Sequence, residues 1–320
     1  MPQQADYITI NDIRETAKRL SNWGRWGPED QIGTLNLIGE EEIKYASSLV
    51  RRGKTFSLAL SLKEKIQSGL FGGRWNPIHS MLATGTDAAT GRQDEPSPYL
   101  RYADDAISMP CQSSTQWDAL CHIFLDDKMY NGFDATLVDA RGAQKLGIEH
   151  VRDRMVGRGV LLDIARYKGV EHLADGEAVD ANTLDQCIAA QKVEIRKGDF
   201  VIVRTGQQER CLASGDWTGY AGGDAPGLAF DTAEWLKDKD VAGICTDTWG
   251  CEVRPNNSEA NQPWHWVVIP ALGISMGEIF YLKELAEDCD QDRVFEFLFV
   301  APPLHLPGGA GSPINPQAIK

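Results

Sequence analysis

The chain has 320 residues, of which 42% are hydrophobic and 24% charged, with 31 glycines and 15 prolines. This composition is typical of a soluble globular protein with a turn-rich α/β or α+β body. The formal charge of −14 would repel a phosphate backbone, so nucleic acid is excluded as an expected partner.

Membrane and disulfide signals are absent from the sequence. No apolar run approaches the roughly 20 residues that a membrane helix needs, and residues 1–7 lack the basic start and apolar core of a signal peptide. Seven cysteines without a C-x-x-C pair indicate neither a disulfide scaffold nor a sulfur-rich zinc site. Cys121, beside His122, is more typical of a small buried residue than of a nucleophile. We expect a cytoplasmic protein that has no membrane contact.

The first 54 residues are predicted to form an N-terminal extension. Residues 11–20 have the pattern of a short amphipathic helix. Residues 22–38 are rich in turns and contain two tryptophans, as expected of a strap that crosses the body or a partner subunit. Residues 40–51 are predicted to be helical. We predict that residues 55–320 form a single catalytic domain.

The body begins with a predicted strand over Thr55–Leu62, which is rich in β-branched and apolar residues. The Gly-, Pro-, Asp- and Ser-rich stretch Gln67–Pro110 is too long for a passive connection, and we expect it to form a site wall or lid. Apolar runs predict further strands at Gly159–Tyr167, Asp199–Arg204, Val241–Cys245 and Arg293–Val300. Helices are expected at 181–192 with Asp180 as cap, from Asp231 through Lys237 with Glu234 in a capping box, and at Ser275–Glu287.

The segment Gln112–His122 places an acid, an imidazole and two amide side chains within eleven residues. Asp118 and His122 are four apart, so a helical turn would put both on one face. Gln112, Gln116 and Asp118 recur at short intervals, and on a tight turn or short strand their oxygens could point to one centre. From spacing alone, an exposed i,i+4 pair or a buried structural histidine is the alternative.

This segment resembles the H-x-G-T-H-x-D-x-P-x-H signature of the cyclase family of metal-dependent hydrolases, which includes kynurenine formamidases and isatin hydrolases. Thr115, Asp118 and His122 match the signature. The departures are Gln112 and Gln116 in place of two metal-binding histidines, Ser114 in place of glycine and Leu120 in place of proline. Other segments that resemble longer members of the family are Asn22–Asn36, Arg204–Gly206, His265–Glu278 and Gly308–Pro313.

The resemblance implies an α/β fold of the swivelling β/β/α type, with a mixed, barrel-like sheet core flanked by helices. It implies a hydrolase that opens a C–N or C–O bond in a small cyclic or aryl amide, lactone or related carbonyl compound, and a homo-oligomer, most simply a dimer. The implied metal ligands are Gln112, Gln116, Asp118, His122, His265 and Glu278. Because an amide oxygen is a harder and weaker ligand than imidazole, the glutamines favour Mn²⁺, Mg²⁺ or Ca²⁺ over Zn²⁺, or loss of the metal.

Without a metal, Asp118, His122 and Glu278 still supply two carboxylates and an imidazole for general acid/base work. The chain could then be a hydrolase with a His122-activated water, or a cyclase, lyase or dehydratase with His122 as base. A third alternative is a small-molecule-binding homologue without activity. Glu278 could instead close a capping box with Ser275. His265 could simply pack between tryptophans, and its spacing to Glu278 is one residue longer than the family pattern.

Six residues are candidates for substrate binding. They are Phe71, His79, Trp117, Phe124, Asp247 and Trp249. Aromatic residues more often belong to a core than to a pocket, His79 could be a surface residue, and Asp247 could cap a turn at a strand end. Gly308–Gly311 lacks both a strand-to-helix context and a Walker lysine, so no nucleotide cofactor is expected.

Overall fold

A curled, nine-stranded mixed sheet organises the chain, which the computed structural model describes at residues 7–69, 72–95 and 99–320. The strands are β1 Thr55–Ser57, β2 Ile78–Ala83, β3 Asp104–Ser108, β4 Gln116–Asp118, β5 Val138–Asp139, β6 Gly142–Ala143, β7 Val156–Asp163, β8 Ala178–Val179, β9 Phe200–Arg204, β10 Gly227–Leu228, β11 Gly243–Thr246, β12 Ser275–Glu278, β13 Glu296–Val300, β14 Gly311–Pro313 and β15 Gln317–Ile319. The order in the large sheet is β1-β15-β13-β7-β9-β11-β12-β4-β14.

Helices flank this sheet. They are α1 Ile10–Leu20, α2 Glu40–Ser48, α3 Gly85–Ala89, α4 Ile164–Tyr167, α5 Ala181–Gln191, α6 Gln207–Ser214, α7 Thr232–Asp238, α8 His265–Val268 and α9 Lys283–Asp292. Short 3₁₀ turns lie at Gly33–Leu37, Tyr130–Gly132, Ala135–Leu137 and Ile148–Val151. This architecture confirms the predicted mixed, barrel-like sheet flanked by helices.

The centre of the sheet is parallel and buried on both faces. β7, β9, β11 and β12 run parallel to one another, and the apolar runs of β7 and β9 are buried along nearly their whole length. Continuous apolar sequence is what such strands require, because helices cover both faces of a parallel sheet. The outer pairs of β4 and β14 on one side, and of β13, β15 and β1 on the other, are antiparallel.

The predicted helix at Ser275–Glu287 is wrong at its start. Ser275–Glu278 forms β12, fully buried between β11 and β4, and α9 begins only at Lys283. The local Ser-x-x-Glu pattern is compatible with a capping box, but pairing with two neighbouring strands overrides it. Asp231 likewise makes no side-chain cap on α7, because its carboxylate accepts a hydrogen bond from the Ala181 amide at 3.1 Å.

Several other boundaries differ from the prediction. The first body strand ends at Ser57 rather than Leu62, and the strand predicted from Arg293 starts at Glu296. The predicted helix over 181–192 is observed at Ala181–Gln191, with the Asp180 carboxylate accepting from the Thr183 amide as its cap. Local capping chemistry was therefore a reliable guide at α5, whereas at α7 a contact with the start of another helix replaced the predicted cap.

The stretch predicted as a site wall or lid contains regular structure. β2 and β3 form an antiparallel hairpin that carries the short helix α3, and we name residues 78–108 the arm. Both strands of the arm are exposed along nearly their whole length. Of the described residues in the stretch before the arm, Arg74 lines the candidate site described below.

The N-terminal segment lies on the body. α1 packs against α8, and the Asn22 side-chain amide donates to the Leu272 carbonyl at 2.8 Å. The Thr34 hydroxyl donates to the Ala242 carbonyl at 2.8 Å, at the edge of β11. That the first 54 residues form an extension separate from a single catalytic domain stays a prediction. In the described residues, no helix combines the length and apolar character needed to cross a membrane.

Candidate metal-binding and catalytic site

The site is built on neighbouring strands β4 and β12. Their register places Gln116 opposite Glu278 and Asp118 opposite Met276. Because side chains alternate along a strand, Gln116, Asp118 and Glu278 share one face of the sheet. Trp117 points to the other face. Of the arrangements considered from the sequence, the short strand is observed from Gln116 to Asp118, and no helix spans Asp118 to His122.

His265, the first residue of α8, faces these carboxylates. Its Nε2 lies 3.3 Å from Glu278 Oε1, and its Nδ1 makes a short contact with Glu252 Oε1. The Glu252 carboxylate also accepts from the backbone amides of Trp264 and His265 at the start of the helix. Burial alone would lower the pKa of His265, but its contacts with Glu252 and Glu278 outweigh burial and raise it to about 10.

Asp118, His265 and Glu278 each offer a ligand atom within 4.8 Å of the others, and all three side chains are buried. Burial and the neighbouring Glu278 charge raise the pKa of Asp118 well above its usual value, while Arg74 and His265 act in the opposite direction. Two carboxylates at this distance repel each other, so a proton, a hydrogen-bond donor or a cation must lie between them.

Gln116 supplies part of that compensation. Its Nε2 donates to Glu278 Oε2 at 2.7 Å and lies 3.4 Å from Asp118 Oδ1. Its Oε1 is buried without a hydrogen-bond partner among the described residues. A half-turn of the amide would bring that oxygen toward the carboxylates, an arrangement that becomes favourable only with a cation between them.

His122 completes the cluster from the turn after β4, whose backbone bends so that the His122 amide donates to the Ala119 carbonyl at 2.9 Å. His122 Nε2 lies 3.8 Å from Asp118 Oδ1, and its side chain is 22% exposed. Desolvation, together with the charges of Arg74 and His265, lowers the pKa of His122 to about 3. The ring is therefore neutral near pH 7, and a ring nitrogen can accept a hydrogen bond or bind a metal ion.

A cavity of about 290 Å³ opens onto these side chains. It is lined by Arg74, Asp118, His122, Ile123, Trp249, Gln262, His265 and Glu278. The guanidinium of Arg74 stacks over the Trp249 ring at 4.9 Å and donates to the Gln112 carbonyl at 3.2 Å. The cavity thus combines an aromatic wall, a cation and a cluster of acids.

Sequence reasoning missed Arg74, Glu252 and Gln262. Arg74 belongs to the long stretch that we predicted to form a site wall. Its arginines and lysines could therefore have been added to the candidate site residues. Glu252 and Gln262 lie in the irregular segment between β11 and α8, where no regular spacing of residues indicates a site. The only available signal was their proximity in sequence to Trp249 and His265.

Other candidate residues lie elsewhere. Trp117 is in the core rather than in the pocket wall, since its ring packs among Phe200, Phe280 and Phe299. The Asp247 carboxylate accepts from the Thr205 amide and hydroxyl and from the Gly206 amide, so it holds the turn before α6 instead of lining the pocket. Among the predicted substrate-binding residues, Trp249 is at the cavity, and Phe71 lies outside the described residues.

His79, Phe124 and Gln112 also stand apart from the cavity. His79 is on the arm, where its Nε2 contacts Asp105 Oδ2 at 2.7 Å, and Phe124 is 41% exposed, next to the cavity residue Ile123. The Gln112 side chain lies over Gly311 of β14, with its Nε2 2.5 Å from the point that a Cβ on that glycine would occupy. Gly311 pairs with Asp118, so Gln112 packs beside Asp118 over the neighbouring strand β14, and it does not line the cavity.

Comparison with known proteins assigns the chain to a family. The Cyclase family model, described as "Putative cyclase", matches residues 56–253. No curated protein matches the sequence significantly. A solved structure of a novel cyclase is 38% identical, with 95% of this chain and 99% of that one covered and a TM-score of 0.85.

More distant structures share the fold. An isatin hydrolase bound to the product analogue thioisatinate is 17% identical, with 88% of this chain and 98% of that one covered and a TM-score of 0.60. Isatin hydrolase A from Labrenzia aggregata, bound to benzyl benzoate, is 18% identical, with coverage of 85% and 94% and a TM-score of 0.58. The chain belongs to the cyclase family, as a member with glutamines in place of two signature histidines.

Proposed function

We propose that the chain is a hydrolase that opens a C–N or C–O bond in a small cyclic or aryl amide, lactone or related carbonyl compound. The observation that carries the proposal is the convergence of Asp118, His265 and Glu278 within 4.8 Å, on a cavity that also presents His122. At about 290 Å³ the cavity suits a compound of about one ring. The fold shared with isatin hydrolases supports this substrate class by analogy.

The donor set fits a divalent cation. Asp118, His265 and Glu278 would hold it, and Glu252 on Nδ1 keeps the Nε2 of His265 directed at the cluster, as carboxylates commonly do for metal-binding histidines. The orphaned Oε1 of Gln116 is a further potential ligand. When bound, such an ion polarises a carbonyl and lowers the pKa of water. Two carboxylates and an amide favour Mn²⁺, Mg²⁺ or Ca²⁺ over Zn²⁺.

The chain's own residues would perform the remaining tasks. His122, neutral near pH 7, is in position to take a proton from water at Nε2, with Asp118 3.8 Å away to stabilise the resulting imidazolium. The Trp249 ring, which Arg74 covers, contributes an apolar part of the cavity wall that an aromatic or cyclic substrate can contact. Arg74, fixed on that ring, brings a positive charge to the cavity wall, where negative charge develops on a carbonyl oxygen.

A second candidate is a metal-free cyclase, lyase or dehydratase that uses His122 as base. It is favoured by the hydrogen bonds of Gln116, because its amide already donates to Glu278 and lies close to Asp118. His265, with its raised pKa, further balances Glu252 and Glu278. The acids are thus compensated by the protein's own groups, and the cluster could act as a charged wall that orients a substrate.

The test is to purify the protein without chelator, measure bound metal by mass spectrometry, and assay a panel of lactones, formamides and cyclic amides. We expect turnover that falls at least about 100-fold in His122→Ala, with the metal content retained. The matched control is His305→Ala, a change of an exposed histidine that should leave turnover unaltered. Turnover that survives exhaustive chelation would favour the second candidate. No turnover by the wild type, or equal turnover by His122→Ala, would contradict the proposal and leave a binding protein.

A further inference from the structure

The Gln262 side chain lines the cavity and has no part in the chemistry proposed above. The residue is half-buried, and its side-chain amide has no hydrogen-bond partner among the residues that the structure describes. Every ionisable side chain of the cavity wall, by contrast, has a role in the proposed function. The wall thus presents a neutral amide whose hydrogen-bonding capacity is unused.

The backbone at Gln262 has an unusual conformation. Its φ is 58°, in the left-handed region that residues other than glycine, asparagine and aspartate rarely adopt. A residue that precedes proline ordinarily takes an extended backbone, and Gln262 precedes Pro263. Strained conformations of this kind cluster at ligand-binding and active sites, where the surrounding structure enforces them. The backbone is therefore a second observation that points to a function for Gln262.

Contacts on both sides hold the segment that carries Gln262. The Glu252 carboxylate accepts a hydrogen bond from the Trp264 backbone amide at 3.3 Å, just after Gln262 in the chain. Before Gln262, the Ile8 amide of the N-terminal segment donates to the Asn257 carbonyl at 2.9 Å. A binding residue on a segment fixed in this way presents its side chain in a defined place before the substrate arrives.

The Gln262 amide lies beside the aromatic wall of the cavity. An ideal Cβ on Gly250 would be 3.1 Å from Gln262 Nε2, so the missing side chain of that glycine leaves the amide its space. Gly250 directly follows Trp249, which contributes the apolar part of the wall. A substrate ring that contacts Trp249 therefore brings the groups on its edge toward the Gln262 amide.

A hydroxyl group on the substrate suits this amide. The amide oxygen accepts a hydrogen bond and the amide nitrogen donates one, and a hydroxyl can pair with whichever of the two faces it. A hydroxyl is also small, and a cavity of about 290 Å³ leaves little space beyond one ring. A carboxylate could pair only with the nitrogen, and it would share the cavity with the acids Asp118 and Glu278.

We propose that Gln262 is a specificity-determining residue that hydrogen-bonds a hydroxyl group on the ring of the substrate. The inference rests on the proposed function, because the same compound carries the carbonyl that reacts at Asp118, His122 and Glu278. A ring without the hydroxyl leaves the amide against an apolar edge with its hydrogen bond unmade. Such a compound should be bound and turned over less well than its hydroxylated counterpart.

Matched compounds test the assignment by turnover. The probes are formanilide, phthalide and oxindole, each compared with its ring-hydroxylated isomers by the ratio of kcat/KM. In the wild type we expect one hydroxylated isomer to be preferred at least about tenfold over its parent. Gln262→Met, which keeps the length of the side chain without its hydrogen bonds, should bring the ratio to about one. Gly250→Ala should lower the ratio as well, because its Cβ would displace the amide. The control Asn261→Met, at an exposed neighbour outside the cavity wall, should keep the preference.

Binding measurements separate this inference from the proposed function. Titration calorimetry with the same compounds on His122→Ala, which lacks the proposed base, gives Kd without turnover. We expect the preferred isomer to bind at least about tenfold more tightly than its parent, and the added change Gln262→Met to remove that difference. If the wild type turns over none of the compounds but this difference in Kd is observed, the proposed function is wrong and the assignment of Gln262 stands. A preference that is absent or that survives Gln262→Met, or a lack of binding by every compound, would overturn the inference.

Discussion

The candidate site and the arm follow one another in the chain but are built in opposite ways. Asp118 and Glu278 lie on adjacent strands toward one edge of a nine-stranded sheet, and each strand is hydrogen-bonded to a neighbour on both sides. The arm is a hairpin whose strands pair only with each other among the described residues. Rigid strands fix ligand atoms to within fractions of an ångström, whereas an exposed hairpin acquires its final environment from whatever covers it.

The two constructions suit different kinds of function. A cluster that brings two carboxylates together needs a scaffold that resists their repulsion, and the core beneath β4 provides it. An interface needs accessible apolar surface, which the core cannot supply. The two regions should therefore respond differently to equally large side-chain truncations.

The largest effect is expected from Trp117→Ala, on the core side of the strand that carries Asp118. The indole is fully buried, packs among three phenylalanines and donates to the Ala301 carbonyl at 2.8 Å. We expect the free energy of unfolding to fall by about 3–5 kcal/mol, as for other buried aromatic truncations. Urea denaturation followed by circular dichroism measures it.

The matched truncation on the arm is Tyr99→Ala, which removes a ring that is 97% exposed. The free energy of unfolding should change by less than about 0.5 kcal/mol. Comparable losses of unfolding free energy in the two variants would show that the arm contributes to stability as much as the sheet does. The distinction between the two regions would then be wrong.

The next effect concerns ion pairs. Asp288 is 2% exposed and accepts hydrogen bonds from Arg52, Lys54 and Lys320, which tie α9 to the end of the β1–β15 pair where Thr55 faces Ile319. Burial would raise the pKa of Asp288, but the three cations outweigh it and lower the pKa to about 2. A carboxyl with a depressed pKa in the folded state stabilises the fold above its unfolded pKa, near 3.9. This contribution is lost as the pH falls through about 2.

We therefore expect Asp288→Asn to lower the free energy of unfolding by at least about 2 kcal/mol at pH 7, with the deficit shrinking below about pH 4. Urea titrations at pH 7, 5 and 3 measure this trend. Asp105→Asn, which breaks the contact with His79 between side chains that are both 61% exposed, should cost less than about 1 kcal/mol. A deficit at Asp288 that is independent of pH would contradict the assigned pKa.

The same contrast explains what the sequence could predict. Apolar runs predicted the buried strands β7, β9 and β11, because a strand that is buried on both faces is a short continuous apolar segment. The resemblance named Asp118, His265 and Glu278 as candidates, and the structure brings their side chains within 4.8 Å of one another. Local rules failed at Ser275–Glu278, where pairing on both sides overrode a capping pattern. Arg74 and Glu252 were missed since they reach the cavity from irregular segments, whose paths no periodicity encodes.

The aromatic candidates show a further limit of sequence reasoning. Trp117 and Trp249 are both buried tryptophans near site residues, yet one belongs to the core and the other to the cavity. Alternation along β4 decides the first case, because its neighbours Gln116 and Asp118 occupy the site face. That distinction requires knowing that the segment is a strand, which the sequence left open.

The smallest effect tests the substituted signature directly. Gln116 lies between Asp118 and Glu278, whereas Gln112 packs over Gly311. Since imidazole binds zinc more strongly than an amide does, Gln116→His should raise zinc affinity at least about tenfold, or about 1.4 kcal/mol. Gln112→His should gain less, because the Gln112 side chain packs over Gly311 and does not line the cavity. Titration calorimetry with Zn²⁺, and with Mn²⁺ as the harder ion, measures both.

Manganese affinity should rise less than zinc affinity in Gln116→His, because the change replaces a hard oxygen donor by a nitrogen that zinc prefers. Equal increases in zinc affinity in the two single variants would mean that the side chain at position 112 moves into the cluster when a metal binds. Strand β14 would then have to shift to make room for it. Unchanged zinc binding in Gln116→His would mean that the amide does not face the ion at all. The carboxylates of β4 and β12 would then serve only to orient a substrate, as the metal-free alternative requires.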